Sequence, residues 1–358
     1  MSDARPACLV TNVVSHYREG PFALLCEAED VEVIAWAHRG PAPPGMRLRT
    51  PTQLGAARLA GSGRYRAVIG GMSGRVALPG AYLGARRAGV PFVLWATIWA
   101  HPRTPAHALS WLPLRRLYRH ADAVATYGPH VSDYVAERRG RADDVFVATQ
   151  AVSPDRFARA VGDDERLAAR ARAGANGDAP LFLFVGRLER EKGLETLLEA
   201  WRRAGVAGEG ALAVAGDGPL GARVAGPGVT ALGRVEQDDL PALYAAADAL
   251  VVPSIATRTF REPWGLVANE AMHQGTPVVA SDAVGAVAGG LIRDGRNGLV
   301  FPGGDAGVLA TRLRTLALNP DLRAALGGAA RDDVAPYTPE AWVGGMSQAL
   351  AAVGRSRA

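Results

Sequence analysis

Short apolar runs alternate with longer stretches of helical periodicity along the whole chain. Runs at Ala7–Val14, Val31–Ala37, Ala67–Gly70, Pro91–Thr97, Ala121–Tyr127 and Val145–Thr149 read as strands in the first half. Leu181–Val185, Ala211–Ala215, Val229–Leu232, Ala249–Val252, Pro277–Ala280 and Leu299–Phe301 read as strands in the second. These runs are nearly all apolar rather than alternating with polar residues, the pattern of strands covered on both faces, and the intervening helices supply the cover. The fold class is therefore α/β, with parallel, doubly wound sheets. Two domains are expected, residues 1–165 and 178–336, with a linker in the charged, then Ala/Gly-rich segment Arg159–Asp178. Thr338-Pro339 can cap a last helix running to about Val353, with Pro at its first position, so 337–358 is read as a C-terminal helix and tail. In open α/β sheets ligands bind beyond the carboxyl ends of the strands, so two such domains face to face would enclose a cleft.

A length of 358 residues suits two domains, and 48% hydrophobic residues exclude a disordered chain. Charge changes the picture more. The net +5 is uneven: residues 1–150 carry 18 Arg against 11 acids, and no Asp or Glu occurs from Val33 to Ala121. Lys192 is the sole lysine among 40 basic residues. A basic first half implies an anionic ligand or surface. Nucleic acid is not expected as a partner, since Gly-rich loops dominate over Lys/Arg runs interleaved with aromatics. Two cysteines make neither a zinc set nor a disulfide framework. The N-terminal sequence shows no secretion signal. The longest apolar run, Val90–Ala100, has 11 residues against the roughly 20 needed to cross a bilayer. A cytoplasmic location is expected.

The chemistry-bearing segments follow strands. In Phe184-Val185-Gly186-Arg187-Leu188-Glu189-Arg190-Glu191-Lys192-Gly193, Arg187 and Lys192 stand at a strand's carboxyl end beside a helix N-terminus. That is a setting for a phosphate, gripped bidentately by Arg and as a point charge by Lys; two solvated charges are the plain alternative. Ala215-Gly216-Asp217-Gly218-Pro219-Leu220-Gly221 contains G-x-G-x-x-G after a strand, which keeps a dinucleotide-binding dehydrogenase open. In Glu262-Pro263-Trp264-Gly265-Leu266-Val267-Ala268-Asn269-Glu270, two carboxylates stand eight residues apart. Pro263 fits the first position of a helix, with Glu262 at its start and Glu270 about two turns in. Carboxylates so placed can accept hydrogen bonds from sugar hydroxyls, or simply complement the helix dipole.

Taken together and in order from Leu181 to Asp305, VGRLEREKG, AGDGPL, EPWGLVANE, GTPVVAS and DGRNGLVF resemble the family-4-type glycosyltransferases. The resemblance implies a GT-B fold, two Rossmann-like domains facing across a cleft, and metal-independent transfer from a nucleotide diphosphate-sugar, UDP- or GDP-linked, with retained configuration. It implies no cofactor and no metal. Arg187 and Lys192 would hold the diphosphate, Glu262 the donor sugar and Glu270 the ribose. Gly186, Gly216, Gly218, Val235, Leu266 and Val267 would complete the donor pocket. In the first domain Gly20, in His16-Tyr17-Arg18-Glu19-Gly20-Pro21-Phe22, would stand in a glycine-containing loop after the first strand. His101 would be the histidine after the fourth strand of the family pattern, with His16 and His107 as competitors. The acceptor would be a hydroxyl on a glycan, lipid-linked intermediate or natural product. A GT-B-like sugar-nucleotide epimerase is the neighbouring alternative.

Residues 99–119 carry Trp99, Trp111, four leucines and Arg115-Arg116-x-x-Arg119. An amphipathic helix of this composition can lie on an anionic membrane, a candidate peripheral contact at the inner face, or pack its leucines on the domain core.

Overall fold

The computed structural model describes residues 5–355, so Met1–Ala4 and the last three residues of the expected tail lie outside it. Among the described residues there are two parallel sheets. The first contains β1 (Ala7–Thr11), β2 (Val31–Ala35), β3 (Leu48–Arg49), β4 (Val68–Gly71), β5 (Phe92–Ala96), β6 (Ala123–Thr126) and β7 (Val145–Val147), in the order β3-β2-β1-β4-β5-β6-β7. The second contains β8 (Leu181–Val185), β9 (Ala211–Ala215), β10 (Val229–Gly233), β11 (Ala249–Val252), β12 (Val278–Ser281) and β13 (Gly298–Phe301), in the order β10-β9-β8-β11-β12-β13. Each sheet reverses its strand order once, at β1/β4 in the first and at β8/β11 in the second. Those are the switch points where open α/β sheets bind ligands.

Every strand expected from the apolar runs is present. Only β3 was not anticipated: two residues at a sheet edge, one of them exposed, bury too little to leave an apolar run.

Helices cover both faces of the first sheet. On one face Phe22 and Leu25 of the helix His16–Glu29 pack with Trp342, Met346 and Leu350 of the helix Pro339–Arg355. On the other lie helices Ala77–Ala88, Pro105–His120 and Pro129–Arg139. In the second sheet, Leu194, Leu197 and Trp201 of the helix Leu194–Ala204 share a core with Leu309 and Leu313 of the helix Ala306–Leu318. No helix among the described residues is long and apolar enough to cross a membrane.

The unit boundaries differ from the sequence expectation. The first compact unit comprises Met1–Ala151 with Thr338–Ala358, and the second is Val152–Tyr337. The segment expected to link them is instead structured. Asp163–Arg172 is a helix of the second unit, and Arg170 donates to Ala246 O at 2.8 Å and Asp248 Oδ2 at 3.2 Å. Its charges read as linker polarity, yet one of them ties the helix to the sheet, because Asp248 also accepts from the β8 backbone at Leu181 N (2.8 Å). Residues 337–358 hold the expected helix, Pro339–Arg355, with Ala341 N bonding Thr338 Oγ1 at 3.2 Å in the manner of a cap. That helix belongs to the first unit.

Candidate functional site

The second unit gathers its chemistry at the β8/β11 switch point. After β8 the chain makes a 3-10 turn, Arg190–Lys192, and passes through Gly193 at φ +72° into the helix Leu194–Ala204. A Cβ on Gly193 would sit 1.8 Å from Pro253 O, so glycine alone allows this turn to press against the segment following β11. Ile255 N donates to Glu191 O at 2.9 Å and fastens the two. Lys192 is thereby brought to Glu262, 70 residues later: Nζ donates to Oε2 at 2.5 Å, and Ser254 Oγ donates to the same oxygen at 3.0 Å. The Lys192 ammonium also lies 5.3 Å from the Phe260 ring centroid. The two charged side chains are only 20% and 9% exposed, so each depends on the other for compensation.

Glu262 is not at a helix start. It forms a parallel bridge with Val284; Gly285 N bonds Glu262 O at 3.1 Å, and Ala286 N bonds Trp264 O at 2.8 Å. These bonds tie residues 262–264 to the segment after β12, so Pro263 does not open the helix, which begins at Val267 and ends at His273. Leu266 and Val267 are half-buried where it starts. The buried Trp264 donates from Nε1 to Asn269 Oδ1 at 2.7 Å and braces the loop against the helix. Glu270 therefore lies in the first turn, buried, and accepts from Tyr244 Oη at 2.5 Å. Burial pushes its carboxyl up to about 7, while the Tyr244 hydrogen bond and the Arg156 charge pull the other way.

Arg187 is 60% exposed and pairs with Glu189 on its own loop at 2.6 Å, so it is not joined to the Lys192–Glu262 pair. Gly216 and Gly218 serve neighbouring backbone. A Cβ on Gly216 would fall 1.9 Å from Gly186 O, and one on Gly218 would fall 2.7 Å from Leu188 O. The β8 and β9 loops are laced together by Leu188 N to Asp217 O (2.7 Å) and Leu220 N to Leu188 O (2.9 Å). No α-helix follows this glycine turn, only the 3-10 turn Gly221–Arg223. The dinucleotide fingerprint needs that helix, so the dehydrogenase reading falls. Val235 is half-buried in the loop after β10.

In the first unit, Gly20 lies within the helix His16–Glu29, exposed and with open space where a Cβ would be, rather than in a loop. The helix begins at His16, so only Asn12–Ser15 remain to connect it to β1. His101 lies in the loop after β5; its Nε2 bonds His107 O at 2.9 Å and its ring lies 4.9 Å from that of Trp111. His107 bonds Thr104 Oγ1 through Nδ1 at 2.7 Å, and His16 is exposed. Among the described residues no three His, Cys, Asp or Glu side chains cluster as metal ligands.

The sequence reading missed three partners. Ser254, two residues beyond β11, was findable by the carboxyl-end rule. Tyr244 reads as ordinary core. Arg18, 4% exposed, is packed against the rings of Trp95, Tyr127 and Trp342 and bonds Gln150 Oε1 at 2.5 Å; nothing in its motif distinguishes it from a surface arginine.

The family model for glycosyl transferases group 1 matches residues 165–333. A D-inositol 3-phosphate glycosyltransferase of Frankia alni is 32% identical over 291 residues, covering 72% of this chain and 67% of that protein. The chain belongs to the group 1 glycosyltransferase family. A protein of the same name from Streptomyces scabiei is 33% identical over 280 residues, and the match spans 60% of that relative's length against 70% of this group 1 chain. Among solved structures, Anabaena Alr3699/HepE in complex with UDP and glucose matches at a TM-score of 0.77 with 19% identity, covering 97% of this chain and 99% of that one. The likeness in fold thus runs through both units, and the fold is GT-B.

Proposed function

We propose that the protein transfers a glycosyl group from a nucleotide diphosphate-sugar to an acceptor hydroxyl, without a metal and with retained anomeric configuration. The observation that carries this is the Lys192–Glu262 pair at the β8/β11 switch point, next to the N-terminus of the helix Leu194–Ala204. A diphosphate leaving group gains charge as its bond to the sugar breaks, and preformed positive charge at a helix N-terminus stabilises that charge. Lys192 has three donors and shares one with Glu262 Oε2. An incoming phosphate takes up the ammonium, and the Glu262 carboxylate turns to the sugar hydroxyls. Arg187, exposed and paired with its loop neighbour Glu189, swings onto the diphosphate in this reading. Glu270, next to Tyr244, takes the ribose. Gly186, Val235, Leu266 and Val267 line the donor's path in this reading.

UDP is the nucleotide we favour, because the structures of similar fold include one in complex with UDP and glucose and one with UDP-glucose. The acceptor is assigned to the first unit, whose acid-free, Arg-rich stretch suits an anion. The location we propose is cytoplasmic, with peripheral contact to an anionic membrane through the helix Pro105–His120. There Leu109 is 83% and Leu112 70% exposed, with Arg115, Arg116 and Arg119 exposed on the same helix.

A thermal-shift panel of UDP-, GDP- and dTDP-sugars tests the donor assignment, since a ligand that binds only the folded state raises its melting temperature. The expected result is a rise with UDP-sugars that is lost in Glu262→Ala. No shift with any nucleotide sugar overturns the reading. Product formed from donor alone, as an epimer rather than a transfer product, would make the protein an epimerase instead.

A further inference from the structure

Tyr244, in the helix Leu240–Ala246, is 0% exposed and carries a hydroxyl to which the transfer itself gives no task. A buried tyrosine hydroxyl needs a hydrogen-bond partner, and here the partner is an acid: Oη donates to Glu270 Oε2 at 2.5 Å. Burial, and then the Glu270 carboxylate beside it, push the Tyr244 phenol well above its ordinary value. The phenol therefore stays protonated and stays a donor. Its ring is hemmed in. The Phe157 ring lies 6.3 Å away, and Tyr244 O accepts from Thr276 Oγ1 at 2.7 Å. Thr276 follows the helix Val267–His273 that carries Glu270, and Thr276 N bonds Ala271 O at 3.1 Å. One tyrosine thus joins the two helices twice, by its hydroxyl and by its carbonyl.

The second carboxylate oxygen is in a different position. Glu270 Oε1 accepts no hydrogen bond among the described residues, yet it is not one of their sealed polar atoms without a partner, so solvent reaches it. A glutamate side chain with both oxygens loose has rotamers to lose when it binds a hydroxyl; one held by a rigid phenol has already lost them. The same bond favours the carboxylate anion against the burial that raises this carboxyl to about 7. An anionic acceptor makes the stronger bond to a hydroxyl. We propose that Tyr244 is a positioning residue for nucleotide recognition. By holding Oε2 it presents Oε1 of Glu270 to a ribose hydroxyl, and so makes the site select ribonucleotides over deoxyribonucleotides. The inference rests on the assignment of Glu270 to the donor ribose.

Calorimetric titration of UDP, 2′-deoxy-UDP and 3′-deoxy-UDP, at about pH 8 so that the carboxyl is ionised, tests both. The unaltered protein should bind UDP at least about tenfold tighter than one of the deoxynucleotides, as a lost hydrogen bond to a charged group requires. Tyr244→Phe keeps the ring and removes the hydroxyl. It should narrow that ratio to about threefold or less by weakening UDP, with the deoxynucleotide's Kd within about twofold of the parent's. A merely structural role would weaken both nucleotides alike and overturn the proposal. Thr276→Val removes the carbonyl tie and leaves the hydroxyl, so it should keep the full ratio; a ratio narrowed as far as in Tyr244→Phe would assign the effect to the tie and overturn the proposal. Should Tyr244→Phe fold poorly, amide hydrogen exchange on the unaltered protein decides. UDP should slow exchange more than the deoxynucleotide does in both Leu240–Ala246 and Val267–His273, and extra protection confined to the second helix would overturn the role of Tyr244. Discrimination that persists in Tyr244→Phe sinks the tyrosine alone. UDP binding without discrimination in the parent sinks the ribose assignment, and no binding of any of the three removes the donor reading and this role with it.

Discussion

Lys192 and Glu262 form an ion pair between side chains largely withdrawn from solvent. Removing one deprives its partner of the opposite charge that faces it in a largely solvent-excluded position. In Lys192→Ala, Ser254 Oγ still donates to Glu262 Oε2. We expect turnover to fall at least tenfold, about 1.4 kcal/mol of transition-state stabilisation, measured as kcat at saturating donor with melting curves to confirm folding. Unchanged kcat would make the lysine a purely structural partner. Glu270 titrates differently. Its folded-state carboxyl is raised by burial to about 7 from an ordinary 4.5. The sign follows: the folded state holds its proton more tightly than the unfolded chain does, so this group's contribution to stability is full below about pH 4.5. It is lost as pH rises through about 7. Glu270→Gln, which cannot ionise, should therefore lose less melting temperature than the parent between pH 5 and pH 8. Parallel profiles for the two proteins would show that Glu270 is charged throughout.

At the scale of the element, two devices matter. The first is the glycine turn: Gly193 and Gly216 let strand-end loops approach within distances no side chain permits. The motif glycines were legible as turns in the sequence, but the neighbouring backbone they accommodate was not. Periodicity has no access to what lies across a turn. The second is the helix Pro105–His120, whose leucines split. Leu117 is buried and Leu114 packs on the core, while Leu109 and Leu112 face solvent. Packing on the core is the use that holds, at the C-terminal end; the exposed N-terminal end is the part on which the proposed membrane contact rests. Its last turn is secured by the buried Arg139, which donates to Tyr118 O at 3.0 Å and Ala121 O at 2.9 Å. The exposed pair should act at a membrane. Leu109→Asp with Leu112→Asp is expected to abolish co-sedimentation with anionic vesicles and leave the melting temperature within a degree or two, since exposed positions contribute little to folding. Equal binding of the parent to neutral and anionic vesicles would count against the arginine cluster.

At the scale of the molecule, the first unit is discontinuous in sequence, and its core is closed by the chain's last helix. Trp342 and Ala349 are 0% exposed and Met346 is 1% exposed. Burying a large apolar side chain is worth roughly 1.5–3 kcal/mol, so losing several of them consumes most of a typical domain's 5–15 kcal/mol. Deleting residues 338–358 should unfold the first unit while residues 152–337 keep a cooperative melt and bind UDP; a deletion variant with both transitions intact would show the helix to be dispensable. The α/β class, the parallel strands, the order of the donor motifs and the terminal helix were all written in local pattern, because burial on both faces of a strand and the capping of a helix depend on residues near in sequence. Where the boundary between units falls, which face each half of the helix Pro105–His120 presents, and the meeting of Lys192 with Glu262 were decided only by tertiary structure. Each depends on groups tens of residues apart whose encounter leaves no periodic trace: Arg170 with Asp248, Leu117 with the sheet, an ammonium with a carboxylate 70 positions on.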